Sequence, residues 1–99
     1  MVEGSNYNIF YRRDKIHQLI ASNEIRQATL LLLDFARDFS RDKNFETEAL
    51  IVCSNSAEYE KEKRQRIQEL AELNRLKKII IQTVCDILNE IINSQREAA

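Results

Sequence analysis

Proline and tryptophan are absent from this 99-residue chain, and glycine occurs once, at Gly4. With so few residues able to make tight primed turns, a hairpin-rich β sandwich is excluded. The same scarcity excludes the glycine-loop phosphate sites, since no P-loop, GxGxxG or GxSxG can be written with one glycine. Apolar runs such as Leu30–Leu33 and Ile79–Ile81 fall far short of the roughly 20 residues a membrane span requires. An excess of one charge is missing as well. Fifteen basic and sixteen acidic residues leave a net charge of −1, without the basic surplus that marks a nucleic-acid binder.

Cysteine is scarce, at two residues, Cys53 and Cys85, with no CxxC pair for a metal or a redox centre. A small secreted domain carries more disulfide-forming residues than that. Both thiols therefore read as reduced, buried, small apolar groups of a cytoplasmic protein. The N-terminus from Met1 to Asn6 lacks the charged-then-apolar order of a signal peptide.

What is present is helical periodicity. Hydrophobic residues make up 43% and charged residues 31%, enough for one small core and a soluble surface. The pattern predicts an all-α, compact four-helix bundle-like domain with a long C-terminal helix, spanning 8–95 between a flexible tail over 1–7 and a short one over 96–99. The first helix runs from about Asn8 to Ala21, with Ile9, Ile16, Leu19 and Ile20 on one face. Asn23 then reads as the N-cap of a second helix over 24–41. In that helix Ile25, Ala28, Leu32, Phe35 and Phe39 recur at alternating spacings of three and four.

Asp42 or Asn44 caps a third helix extending to about Arg64, lined by Phe45, Ala49, Val52, Ser56 and Tyr59 and widened by Leu50, Ile51 and Cys53. A mixed-charge run, Glu58 to Arg66, holds the acid-first pairs Glu60/Arg64 and Glu62/Arg66. The fourth helix runs from about Ile67 to Asn93. It carries one stripe of Leu73, Leu76, Ile80, Val84, Ile87 and Ile91, and a second of Leu70, Ile81, Cys85, Leu88 and Ile92. No glycine or proline separates the third and fourth helices, so a merged helix is the alternative. The apolar stripe lapses across Glu60–Arg66, which favours a polar turn.

Catalytic chemistry finds little to work with. His17 is the single histidine, no Glu-x-x-His metal pair exists, and carboxylates such as Glu46/Glu48 are ordinary solvated helix residues. The reading is a protein without enzymatic activity, cofactor or metal. What remains is surface. At about 100° per residue Leu30 and Leu33 fall away from the buried stripe of their helix, beside Arg26 and Arg37. Ile79 falls among polar residues near Arg75. An apolar centre of Leu30, Leu33 and Ile79 rimmed by Arg26, Arg37 and Arg75 is the candidate partner interface. Phe10 and Tyr11 precede the first regular stripe and either cap the bundle or meet another chain.

One family shares this arrangement. In the segment Ile16–Leu33 a short helix ends in Leu19-Ile20, a polar turn of Ser22-Asn23 follows, and the next helix opens with Ala28 and the leucines Leu30–Leu33. Glu48–Ser56 is a leucine-type helix ending in serine, and Leu73–Leu88 opens with Asn74-Arg75. Together these resemble the bacterial effector-associated domains, the eleventh type most closely, over about residues 12 to 92. The chain departs from that pattern at Ser54–Arg66, where the family has an Arg-Tyr-like pair and often a glycine turn.

The resemblance implies a death-fold-like adaptor without chemistry of its own. It would pair with a similar domain on another protein, or with itself as a homo-oligomer. Such pairing couples sensors to effectors, among them caspase-like proteases and signalling ATPases, in bacterial immunity, antiphage defence or programmed cell death. Neither nucleic acid nor membrane is an expected partner. The alternatives are a structural, coiled-coil-like helical dimer, supported if the third and fourth helices merge, and a small regulatory binding protein.

Overall fold

The computed structural model describes residues 2–40, 42–65 and 69–98, with side-chain surroundings for 9–40, 42–65 and 69–94. Four α-helices account for nearly all of it: α1 (Val2–Ala21), α2 (Ile25–Phe39), α3 (Lys43–Gln65) and α4 (Leu70–Ala98). Among the described residues there is no strand. Short connections force consecutive helices to run antiparallel, and each helix packs on the next. Helix α4, about 43 Å long at 1.5 Å per residue, also reaches back onto α2 and α1. That length accounts for most of the 47 Å long axis of the molecule.

Separate third and fourth helices packed against each other exclude a merged helix of α3 and α4. The physical reason lies in the stripe. Glu60–Arg66 offers no apolar row to carry a seam across the junction, whereas folding α4 back buries Tyr59, Ile80 and Ile87. The expected start of the fourth helix at Ile67, the Glu62/Arg66 pair and Arg41 fall outside the described residues. The helix begins at Leu70 and extends to Ala98, past the expected end at Asn93. At the other end of the chain, α1 begins at Val2 rather than near Asn8.

The helix ends show how the turns are made. Asn23 is not the N-cap of α2. It has φ 65°, the left-handed region that asparagine tolerates better than most residues. The Glu24 N–H donates to the Leu19 carbonyl (2.8 Å) and the Asn23 N–H to the Ile20 carbonyl (3.0 Å). That pair of bonds is a Schellman termination of α1. Glu24 occupies the N-cap position of α2 without a side-chain bond. At α3, Asp42 Oδ1 accepts from the Asn44 N–H (2.9 Å), so Asp42 caps that helix. Ser40 Oγ meanwhile accepts from the Asp42 N–H.

Helix α2 is the centre of the molecule, in contact with α1, α3 and α4. Ile25, Ala28, Thr29, Leu32, Phe35 and Ala36 are all buried on it. Phe35 stacks at 5.0 Å, tilted, on Phe39. The Arg12 guanidinium lies 5.2 Å over the Phe39 ring and pairs with Asp38, which fastens α1 to the end of α2. Arg37 pairs with Glu46 and does the same for α2 and the start of α3.

Helix α4 contributes Leu73, Ile80, Val84, Ile87, Leu88, Ile91 and Ile92 to the core. Leu70, read as a member of its second stripe, is instead exposed, because the first residue of the helix lies beyond the reach of its neighbours. Cys53 is buried, but Cys85 is only half-buried, at the flank of that broad face.

Candidate interaction surfaces

The residues singled out from sequence divide between two flanks of the molecule. Leu30, Leu33, Arg26 and Arg37 lie on the side of α2 that faces α3. Leu33 packs against the core, whereas Leu30 remains 40% exposed. Arg37 is tied to Glu46 (3.1 Å). Arg26 reaches across the seam, its Nη1 donating to the Cys53 carbonyl (2.8 Å) and to Ser56 Oγ (3.2 Å). Ile79 is on α4, on the far side of α3 from Leu30, and 50% exposed. Arg75 turns to Glu72 (2.8 Å) within its own helix, a contact that raises its pKa further above an already basic value.

Between α2 and α3 the arginine joins a polar cluster. Thr29 and Ser56 are both fully buried, and their hydroxyl oxygens lie 2.7 Å apart. Thr29 Oγ1 also lies 2.9 Å from the Arg26 carbonyl, and Ser56 Oγ lies 2.8 Å from that of Cys53. The Cys53 thiol points to the Thr29 carbonyl at 3.0 Å. Each hydroxyl has one proton, so if one of them donates to its carbonyl, the other must supply the bond between them. Burial pushes the Cys53 thiol above its ordinary pKa, with the Thr29 contact acting in the opposite direction. Burial and the neighbouring Asp86 carboxylate raise that of Cys85.

The second flank is a groove along the antiparallel pair α3/α4. Glu48, Ile51, Asn55, Glu58 and Glu62 line it from α3, and Leu76, Ile79, Thr83, Asp86 and Glu90 from α4. Every spacing in these rows is three or four, so each row is one face of its helix. From Glu48 to Glu62 the groove runs about 21 Å. Its floor includes the buried Val52, Tyr59, Ile80 and Ile87. Ile51, 55% exposed, and Ile79 stand on opposite walls. Among the described residues, five carboxylates and no cation line it. The Lys63 ammonium lies over the Tyr59 ring, 6.0 Å from its centroid.

A third feature is the shallow hollow between α1 and α2, formed by Tyr11, Arg12, Lys15, Ile16 and Leu31. Tyr11 is 63% exposed at its edge. His17 is exposed on α1 and belongs to neither the groove nor the hollow. Among the described residues, no group of three or more histidine, cysteine or acidic side chains is arranged to hold a metal ion, and no helix is long and apolar enough to cross a membrane.

Comparison of the chain with family models, with curated proteins and with solved structures finds no match.

Two of these features escaped the sequence reading. Ile51 was assigned only to a widened apolar face, although Glu48, Asn55, Glu58 and Glu62 at helical spacing around it mark the groove wall. Thr29 carried no signal of its own. Ser56 did, as a hydroxyl inside an apolar stripe.

Proposed function

We propose that the chain is a non-catalytic adaptor module that pairs with a like domain, on another protein or on a second copy of itself. In that role it couples a sensor to an effector in bacterial immunity or programmed cell death. The observation that carries the proposal is the α3/α4 groove, where two half-exposed isoleucines sit within a rim of five carboxylates. An apolar centre with a charged rim is the composition of a protein interface, and like charges around it turn away partners that lack the opposite charge. The exposed Leu30 and Tyr11 add further apolar contact points.

The resemblance to the effector-associated domains supplies the like-with-like character of the pairing and its signalling setting. Free thiols at Cys53 and Cys85 fit a reducing, cytoplasmic compartment. The acidic groove also disfavours a phosphate backbone at this face.

The test is molar mass by light scattering over a concentration series, at low and high salt. Pairing predicts a mass that rises with concentration and falls back as salt screens the rim. A chain that stays monomeric throughout overturns self-pairing. A tight dimer of fixed mass that is insensitive to salt favours a structural dimer instead.

A further inference from the structure

We infer that the α3/α4 groove of one copy receives the Tyr11–Lys15 edge of α1 from a second copy, so that the contact joins two different patches and runs head to tail. This deepens the self-pairing reading above and rests on it.

The argument begins with charge. The groove concentrates five negative charges, while the whole chain has a net charge of −1, so the rest of the molecule carries a formal surplus of four positive charges. The α1 edge offers a cation and an exposed aromatic, whereas the groove's aromatic, Tyr59, is buried in its floor. Tyr11 is a large exposed aromatic, and Lys15 follows it by four residues, on the same face of α1 and about 6 Å further along the axis. Both line the hollow over Ile16 and Leu31. Tyrosine is among the residues that most often anchor protein interfaces, filling an apolar slot while its hydroxyl stays paired at the rim.

The groove has the matching parts. Ile51 and Ile79 provide apolar walls, with Asp86 lining the groove beside Ile51 and Glu58 lining it beside Ile79. Asp14, the acid next to Lys15, is already neutralised by Arg13, whose Nε and Nη2 donate to it at 3.1 and 3.0 Å. It therefore leaves little uncompensated negative charge facing the groove.

Geometry sets the symmetry. Helix α2 separates α1 from α3, and the hollow lies on its α1 side. The groove lies beyond, on the far side of α3. Because the two patches are distinct, each copy that uses one of them in a pair still presents the other. Such a contact is heterologous and extends into rings or filaments, instead of stopping at a two-fold dimer.

The experiment uses three variants of the full chain, each checked by circular dichroism for unchanged helix content. Of the four substituted side chains, Tyr11, Lys15 and Ile79 are solvent-exposed and Lys77 is half-buried. Ile79→Asp disables the groove, and the double change Tyr11→Ala with Lys15→Glu disables the α1 edge. Lys77→Glu makes a charge reversal of the same sign and size as Lys15→Glu at a site away from both patches. The first two variants, each alone, are expected to lose the concentration-dependent rise in mass, while Lys77→Glu keeps it. Mixed in equal amounts, the first two have one intact groove and one intact edge between them. They are expected to form a 1:1 pair that grows no further.

Association of either disabled variant as in the unmodified chain overturns this inference but leaves self-pairing in place. Loss on Lys77→Glu, or a mixture that stays monomeric, also overturns it, since neither fits a groove-to-edge contact. An unmodified chain that never associates removes both the inference and the reading it rests on. As a second route to the same contact, Glu58→Lys is expected to restore association to the Lys15→Glu chain. Failure of that swap, with both single variants folded, speaks against the pairing of those two charges.

Discussion

Replacing Thr29 by valine and Ser56 by alanine, singly and together, tests the buried cluster at the α2/α3 seam. In the Thr29→Val chain, Ser56 keeps the Cys53 carbonyl as acceptor at 2.8 Å and the Arg26 guanidinium as donor at 3.2 Å, so no buried polar atom is orphaned. The loss is one net hydrogen bond, about 1 kcal/mol. In the Ser56→Ala chain, Thr29 retains the Arg26 carbonyl at 2.9 Å and Arg26 retains the Cys53 carbonyl at 2.8 Å. That change again costs about 1 kcal/mol, or about 4–8 °C in Tm for a domain of this size. Both substitutions remove the same 2.7 Å hydroxyl contact. The double variant also loses the carbonyl bond that each single variant keeps, so its cost is expected to equal the sum of the two single costs within about 0.5 kcal/mol. Urea unfolding followed at 222 nm measures all four chains. Coupling well above about 0.5 kcal/mol refutes this one-proton-per-hydroxyl arrangement, and a changed m-value points to an altered denatured state instead.

Three further outcomes follow from the turns and the thiols. Asn23→Ala places a Cβ-bearing residue without a polar side chain at φ 65° and is expected to destabilise by about 1 kcal/mol, whereas Asn23→Gly is neutral or slightly stabilising; urea midpoints separate the two. Asp42→Ala removes the acceptor of the Asn44 N–H and is expected to cost about 1 kcal/mol, with Asp42→Ser recovering most of it in the same assay.

Both thiols ionise at higher pH in the folded chain than in the unfolded one. Their contribution to stability is complete below the unfolded value, about 8.5. It is lost progressively as pH rises toward the folded values. Urea midpoints between pH 7 and pH 10 are expected to fall, with a shallower slope in a Cys53→Ala chain; an unchanged slope removes Cys53 as a source.

The architecture was largely legible in the residues. Ile25, Ala28, Leu32 and Phe35 at spacings of three and four leave an α-helix little choice of buried face, because every such residue returns to the same side within about 40°. The same arithmetic found the stripes of α3 and α4 and set Ile79 apart as exposed. Where local chemistry permits two roles, the residues alone did not decide. Asparagine serves an N-cap or a left-handed helix end, and at Asn23 the five-residue return from Glu24 to Leu19 selects the second.

By itself, then, the order of residues determined the helical class, the core faces and the lack of glycine-loop chemistry, since each depends on period and composition along one chain. Only the tertiary structure decided which exposed apolar residues share a surface. Leu30 and Ile79 read alike in sequence, yet α3 stands between them. Ile51 and Ile79, 28 positions apart in sequence, become opposite walls of one groove because α4 folds back antiparallel on α3. It also decided that Arg26 turns inward to Cys53 and Ser56. Helical period says which side of a helix a residue occupies, but what lies opposite that side depends on how the helices pack.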